Sequence, residues 1–269
     1  DSGSNSALGF RVDQNAVPSQ GGLGYNFGTG VQGTAGNTGI SAIGDFNGDG
    51  LDDVAIGQAL ASTGSATVSE PGRVMVLFGS TTARSNLVLP AFSSLSLAGG
   101  FILQGDSSMG PMLGTTVSGG GDINGDGYSD LLVTTSNTAL SSSGAGASPV
   151  GTGYVVYGSS SLASFNVTEF RTSGFGKGFM VSNIGQSAVS APNIAADMTF
   201  VGDVNGDGKI DILEGNGWWE QPKSLDGDPV WTFHPVKFGN GAQMYVYDVN
   251  DDGKPDVITS LMAHGYGLA

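Results

Sequence analysis

Asp45-Phe46-Asn47-Gly48-Asp49-Gly50-Leu51-Asp52-Asp53 is a nine-residue acidic loop with a strand-like run, Val54-Ala55-Ile56, directly after it. The same register returns from Asp122 to Asp130, from Asp203 to Asp211 and from Asp248 to Asp256, with starts 77, 81 and 45 residues apart. One such segment reads as an Asx-rich turn. Four in one register read as a structural repeat, because each unit of a repeat array reuses one supersecondary solution.

Outward from the loops the flanks repeat as well. Leu131-Leu132-Val133, Ile212-Leu213 and Val257-Ile258 follow the later loops, as β-branched and aliphatic runs suited to strands. A Gly-Phe pair recurs upstream at Gly9-Phe10, Gly100-Phe101 and Gly178-Phe179. Further strands end in an aromatic-Gly pair at Phe78-Gly79 and Tyr157-Gly158. This reading divides the chain into a tail or strand arm over 1–8 and one repeat domain over 9–269. Its units run approximately 9–99, 100–177, 178–230 and 231–269, the last cut short. The Gly/Ser/Thr/Ala-rich linkers 58–71 and 134–152 read as exposed loops between second and third strands.

The loop chemistry points to a hard cation. Calcium takes six to eight oxygen ligands from carboxylates, amides and carbonyls. Positions one, three, five and nine supply side chains: Asp45, Asn47, Asp49 and Asp53; Asp122, Asn124, Asp126 and Asp130; Asp203, Asn205, Asp207 and Asp211; Asp248, Asn250, Asp252 and Asp256. Position seven (Leu51, Tyr128, Lys209 and Lys254) varies freely, as expected where only a backbone carbonyl is used. A helical calcium loop is excluded: position twelve, a bidentate Glu in that motif, is Ile56, Val133, Glu214 or Thr259. About four Ca²⁺ are expected, one per loop; magnesium suits the site less well because it demands stricter octahedral geometry.

Composition narrows the rest. The 269 residues contain no cysteine, 47 glycines, 9 Lys plus Arg and 24 Asp plus Glu, a net charge of −15. That charge disfavours nucleic acid and anionic membranes as partners, and the short apolar runs predict no membrane span. Without cysteine there is no thiol catalysis or disulfide framework. Catalysis has little else to draw on: His234 and His264 are the two histidines, and neither belongs to a nucleophile motif. No catalytic residue is assigned.

These motifs resemble the FG-GAP repeats of the integrin alpha-chain β-propeller and of related bacterial surface proteins. The Asp-x-Asn-x-Asp-Gly-x-x-Asp loop and the hydrophobic strand after it carry the likeness, with Leu113-Gly114 before the second loop and Gly57 and Gly215 after loops one and three. The resemblance implies an all-β fold, a β-propeller-like array of about four blades, each a four-stranded antiparallel sheet with a calcium loop. It also implies an extracellular, non-enzymatic protein engaged in adhesion or in recognising a protein or glycan ligand. Two departures matter: four units rather than the usual seven, and a degenerate Gly-Ala-Pro element. An unfinished fourth unit raises a second reading, a filament or surface-layer subunit forming a homopolymer through its terminal strands. A third is the accessory domain of a carbohydrate-active enzyme. Trp218, Trp219, Trp231 and His234 are candidate ligand-binding residues, against the alternative that they fill the core. Asn166-Val167-Thr168 is the one glycosylation sequon.

Overall fold

The computed structural model describes residues 12–13, 39–59, 71–82, 84, 87–88, 90–109, 112–135, 152–172, 176–181, 199–214, 217–226, 229–238 and 244–259. The 1–8 arm, most of both long linkers and the chain after Thr259 lie outside these residues. Among the described residues every regular element is a strand or a short 3-10 helix.

The chain builds its sheets in order. Val12–Asp13 (β1) pairs in parallel with Leu87–Val88 (β5). The first blade joins Ile40–Gly44 (β2), Asp53–Gln58 (β3), Arg73–Leu77 (β4) and Gly100–Gln104 (β6), all antiparallel. The second joins Thr116–Gly121 (β7), Asp130–Thr134 (β8), Gly153–Val156 (β9) and Gly178–Val181 (β11). Between β9 and β11 in sequence, Phe165–Asn166 (β10) crosses to the first sheet and adds a parallel strand beside β6. The third blade joins Thr199–Gly202 (β12), Asp211–Glu214 (β13), Gly217–Glu220 (β14) and Thr232–Pro235 (β15). Met244–Tyr247 (β16) and Asp256–Thr259 (β17) form a hairpin that starts the fourth.

This topology moves the unit boundaries. The Gly-Phe segments at 100–101 and 178–179 do not open new units; they begin the fourth strands of the blades before them. Thr232–Pro235 likewise closes the third blade. The divisions at 99/100, 177/178 and 230/231 therefore fall inside blades. The described part of the N-terminal region also pairs with Leu87–Val88 and not with the fourth unit.

The innermost strands β2, β7, β12 and β16 pack in succession, so the sheets stack face against face in an open, β-propeller-like array. Alternation along each strand sends its side chains to two different neighbours. In the second blade Leu131, Val133, Tyr154 and Val156 face the first blade and meet Phe46, Val74, Val76 and Phe101. Leu132 and Val155 point the other way and meet Ile212, Trp219 and Trp231. The outer face of the first blade, with Ile56, Met75 and Ile102, is covered by Leu87 and Leu97. Buried Arg73 holds that cover down by donating to the carbonyls of Pro90 and Ala91 at 3.0 and 3.3 Å.

The first two blades approach closely at Gly119. A Cβ there would stand 2.4 Å from the Ile43 Cβ and 2.6 Å from its Cα, too near for either strand to give way locally. Gly119→Ala should cost about 1–3 kcal/mol by overpacking, or roughly 2–12 °C of melting temperature for a chain of this size. An unchanged thermal melt would mean the strands are not packed this tightly.

Candidate metal centres

Each acidic loop joins the first and second strands of its blade, so all four occur at the same step of the repeat. In the three larger sheets the pairing slips by one residue just before the loop, between Ala42 and Gly44, Gly119 and Gly121, and Phe200 and Gly202. Such a bulge bends the strand and re-aims the residues after it. At position six, Gly50, Gly127, Gly208 and Gly253 have φ of 85°, 91°, 87° and 80°. An added Cβ would meet nothing within 4 Å at any of them, so backbone conformation and not space selects glycine.

The loops share one hydrogen-bond pattern. In the first, Asp45 Oδ1 accepts from the N–H groups of Gly48 and Asp49 at 2.7 and 3.0 Å, and Oδ2 accepts from Gly50 N–H at 2.8 Å. Asn47 Oδ1 accepts from Asp49 N–H at 2.9 Å, and Asp49 Oδ1 from Leu51 N–H at 2.9 Å. The second and third loops repeat every one of these bonds on Asp122, Asn124, Asp126 and on Asp203, Asn205, Asp207. The fourth repeats four of them, on Asp248, Asn250 and Asp252. Positions one, three and five are thereby gathered on one rim, and position seven contributes its backbone at the same turn.

Position nine is placed differently from positions one and five. Asp53, Asp130 and Asp211 are fully buried. Their Oδ2 atoms accept from the loop's position-two N–H (Phe46, Ile123 and Val204), at 3.0, 2.7 and 2.9 Å. Their Oδ1 atoms reach beyond the third strand to the N–H groups of Gly79, Gly158 and Gln221, at 2.7, 2.9 and 3.0 Å. Each is a clamp between the loop and the far hairpin of its blade. Asp256 makes the first bond, to Val249 N–H at 3.0 Å. Nothing in the sequence distinguishes this carboxylate from those at positions one and five; the signal was the strand two elements later, whose end must be tied down.

Among the described residues no three His, Cys, Asp or Glu side chains converge as a metal site by themselves. The donor set fits a cation only with the Asn amide and the position-seven carbonyl included, a mixture that suits a hard ion such as calcium. Electrostatics run the same way. Burial raises the Asp130 carboxyl to about 7 against the lowering effect of its Gly158 and Ile123 bonds, and the neighbouring Asp126 and Asp122 raise it further. Asp53 and Asp211 are raised too, first by burial and, after their backbone bonds, by Asp49 and by Asp207 and Asp203. Lys209 Nζ lies 3.3 Å from Asp207 Oδ2 in the third loop. A divalent ion held by positions one, three, five, seven and nine would supply the missing positive charge.

The loops also lean on one another. Asp45 C=O accepts from Ser129 N–H at 3.0 Å, and Phe46 C=O from Ser159 N–H at 2.9 Å. Ile123 C=O accepts from Gln221 Nε2 at 2.9 Å. Each of the first two loops is therefore braced by the blade after it.

The aromatic candidates separate into two groups. Trp219 and Trp231 are buried in the seam between the second and third blades, with Phe179 stacked on Trp231 at 5.8 Å. Neither has a free face, so as ligand-stacking residues they are corrected to core. Trp218 is half-buried and stacks on the His234 ring at 4.2 Å and 12°, and His234 Nε2 lies 2.7 Å from Glu220 Oε2. Asn166 caps the 3-10 helix Val167–Arg171: its side chain accepts from Thr168 N–H at 2.8 Å, and Glu169 returns to the Asn166 N–H. The sequon asparagine is thus already engaged in a cap.

Comparison with known proteins agrees with the repeat reading. The FG-GAP repeat matches at residues 37–76 and again at 113–156, covering the first and second loops with the strands around them. No curated protein matches. Among solved structures, the V. cholerae biofilm matrix protein Bap1 is similar over 84% of this chain at 19% identity, with a TM-score of 0.34. The chain spans 28% of that protein's length. No helix among the described residues is long and apolar enough to cross a membrane.

Proposed function

We propose that this is a non-enzymatic, extracellular calcium-binding protein of β-propeller type, whose blades present a surface for adhesion or ligand recognition. The observation that carries this reading is the fourfold recurrence of one loop geometry, with the same carboxylates, asparagine and left-handed glycine at the same positions. Hydrogen bonding alone does not explain so uniform a set of acidic side chains, since neutral Asn or Ser would accept the same backbone bonds with less mutual repulsion. The FG-GAP matches support an adhesion-type role, because the pattern belongs to repeats of that kind. Glu220 and His234 are held against each other across two neighbouring strands of the third blade.

Calorimetric titration of the decalcified full chain tests the proposal. About four Ca²⁺ per chain are expected, with dissociation constants of about 10⁻⁴ to 10⁻³ M, as in extracellular modules. Absence of any saturable calcium binding would overturn it.

A further inference from the structure

Residues of the second and third blades and of the 3-10 helix Val167–Arg171 line a half-open trough of about 960 Å³. Its wall concentrates basic side chains. Arg171, Lys209 and Lys223 all line it, three of only 9 basic residues in a chain of net charge −15. Between them stand the half-buried rings of Tyr157 and Phe170, and polar groups including Ser224. Two acidic loops border the trough: Asn124 belongs to the second and Lys209 to the third.

We infer that this trough binds an acidic saccharide, carboxylates toward Arg171 and Lys223 and sugar rings against Tyr157 and Phe170. The volume lies near the upper end of the about 300–1,000 Å³ range of ligand clefts, and an open trough admits a chain whose ends run on. Aromatic faces between hydroxyl-binding polar groups fit pyranose rings, which have an apolar face and a polar edge. Arginine adds a planar fork matched to a carboxylate. Asp226 also lines the trough, bonded by Ser224 Oγ at 2.9 Å, and offers an acceptor for a sugar hydroxyl.

The inference rests on the calcium reading in one respect. With empty loops the mouth is flanked by uncompensated carboxylates that repel an anion; two bound Ca²⁺ would add four positive charges beside it. Anion binding should therefore depend on calcium even though no calcium ligand lies among Arg171, Lys223, Tyr157 and Phe170.

The test uses the full calcium-loaded chain, a glucuronate-containing tetrasaccharide, the same sugar with its carboxyl groups reduced, and a tetraglutamate peptide. The acidic sugar should bind at least tenfold more tightly than either control. The double variant Arg171→Glu/Lys223→Glu should lose at least tenfold of that affinity while its calcium titration and melt stay unchanged. Equal binding of the reduced sugar, equal binding of the peptide, or indifference to the charge reversal would each overturn the assignment. A variant that fails to melt cooperatively is replaced by Lys223→Ala, for which a threefold or greater loss is expected and no loss overturns. Calcium uptake without sugar binding defeats this inference and leaves the calcium reading intact; calcium-independent sugar binding defeats the coupling and, with no calcium uptake, the calcium reading itself.

Discussion

Chelating calcium from the full chain should lower its melting temperature by roughly 12–24 °C. Where free calcium exceeds the dissociation constant about tenfold, each site stabilises the folded state by about 1.4 kcal/mol. Four sites then contribute about 6 kcal/mol, a large share of the 5–15 kcal/mol that separates a domain from unfolding, and each kcal/mol corresponds to about 2–4 °C at this size. The competing view is that the loop hydrogen bonds suffice. They return only about 0.5–1.5 kcal/mol each, net, and they leave three carboxylates crowded at every loop. A thermal scan with and without chelator decides: a melt that chelation leaves in place would mean that the loops are self-supporting acidic turns. The single change Asp126→Ala should remove about a quarter of the calcium-dependent shift.

Trp219→Ala should be the most damaging point substitution in the third blade, costing about 3–5 kcal/mol. The indole is 2% exposed. It lies against Phe233 at 4.8 Å within its own sheet and faces Ile212 and Trp231 in the seam with the second blade. Its removal opens a cavity between two sheets joined mainly by side chains, which strand pairing cannot close. Neighbouring Trp218 projects from the opposite face of the same strand and is half-buried, so Trp218→Ala should cost well under half as much. Denaturant titration of both variants measures the difference; equal losses would show that the two faces are not distinguished as described.

Much of this was legible in the residues. The loops could be placed to the residue because their acidic positions and their left-handed glycine are local requirements, written within nine positions. The strands directly after them were equally plain, as β-branched and aliphatic runs next to an acidic turn. The outer strands were not. Gly100-Phe101 and Gly178-Phe179 recur ahead of a loop and read as openings, yet their partners are the strands before them, and the choice of sheet neighbour leaves no mark in periodicity. The same limit hid the second role of Asp53, Asp130 and Asp211, each tied to a backbone N–H ten to twenty-eight residues further on. Aromatic density around Trp218 and Trp231 pointed equally to a surface and to a core, because the strand's alternation assigns adjacent tryptophans to opposite faces and does not say which face is covered. The basic trough was illegible because Arg171, Lys209 and Lys223 are scattered in sequence and meet only when two blades flank them.

The short strand Phe165–Asn166 lends itself to the sheet before its own, beside Leu103–Gln104, and Ser164 Oγ accepts from the Ile102 N–H next to it. A blade copied or exchanged by itself would leave that lent strand without a lender or a borrower. For duplication and recombination, the portable piece in this part of the chain is therefore a doublet spanning the first two blades, and a designer grafting one repeat would have to carry both.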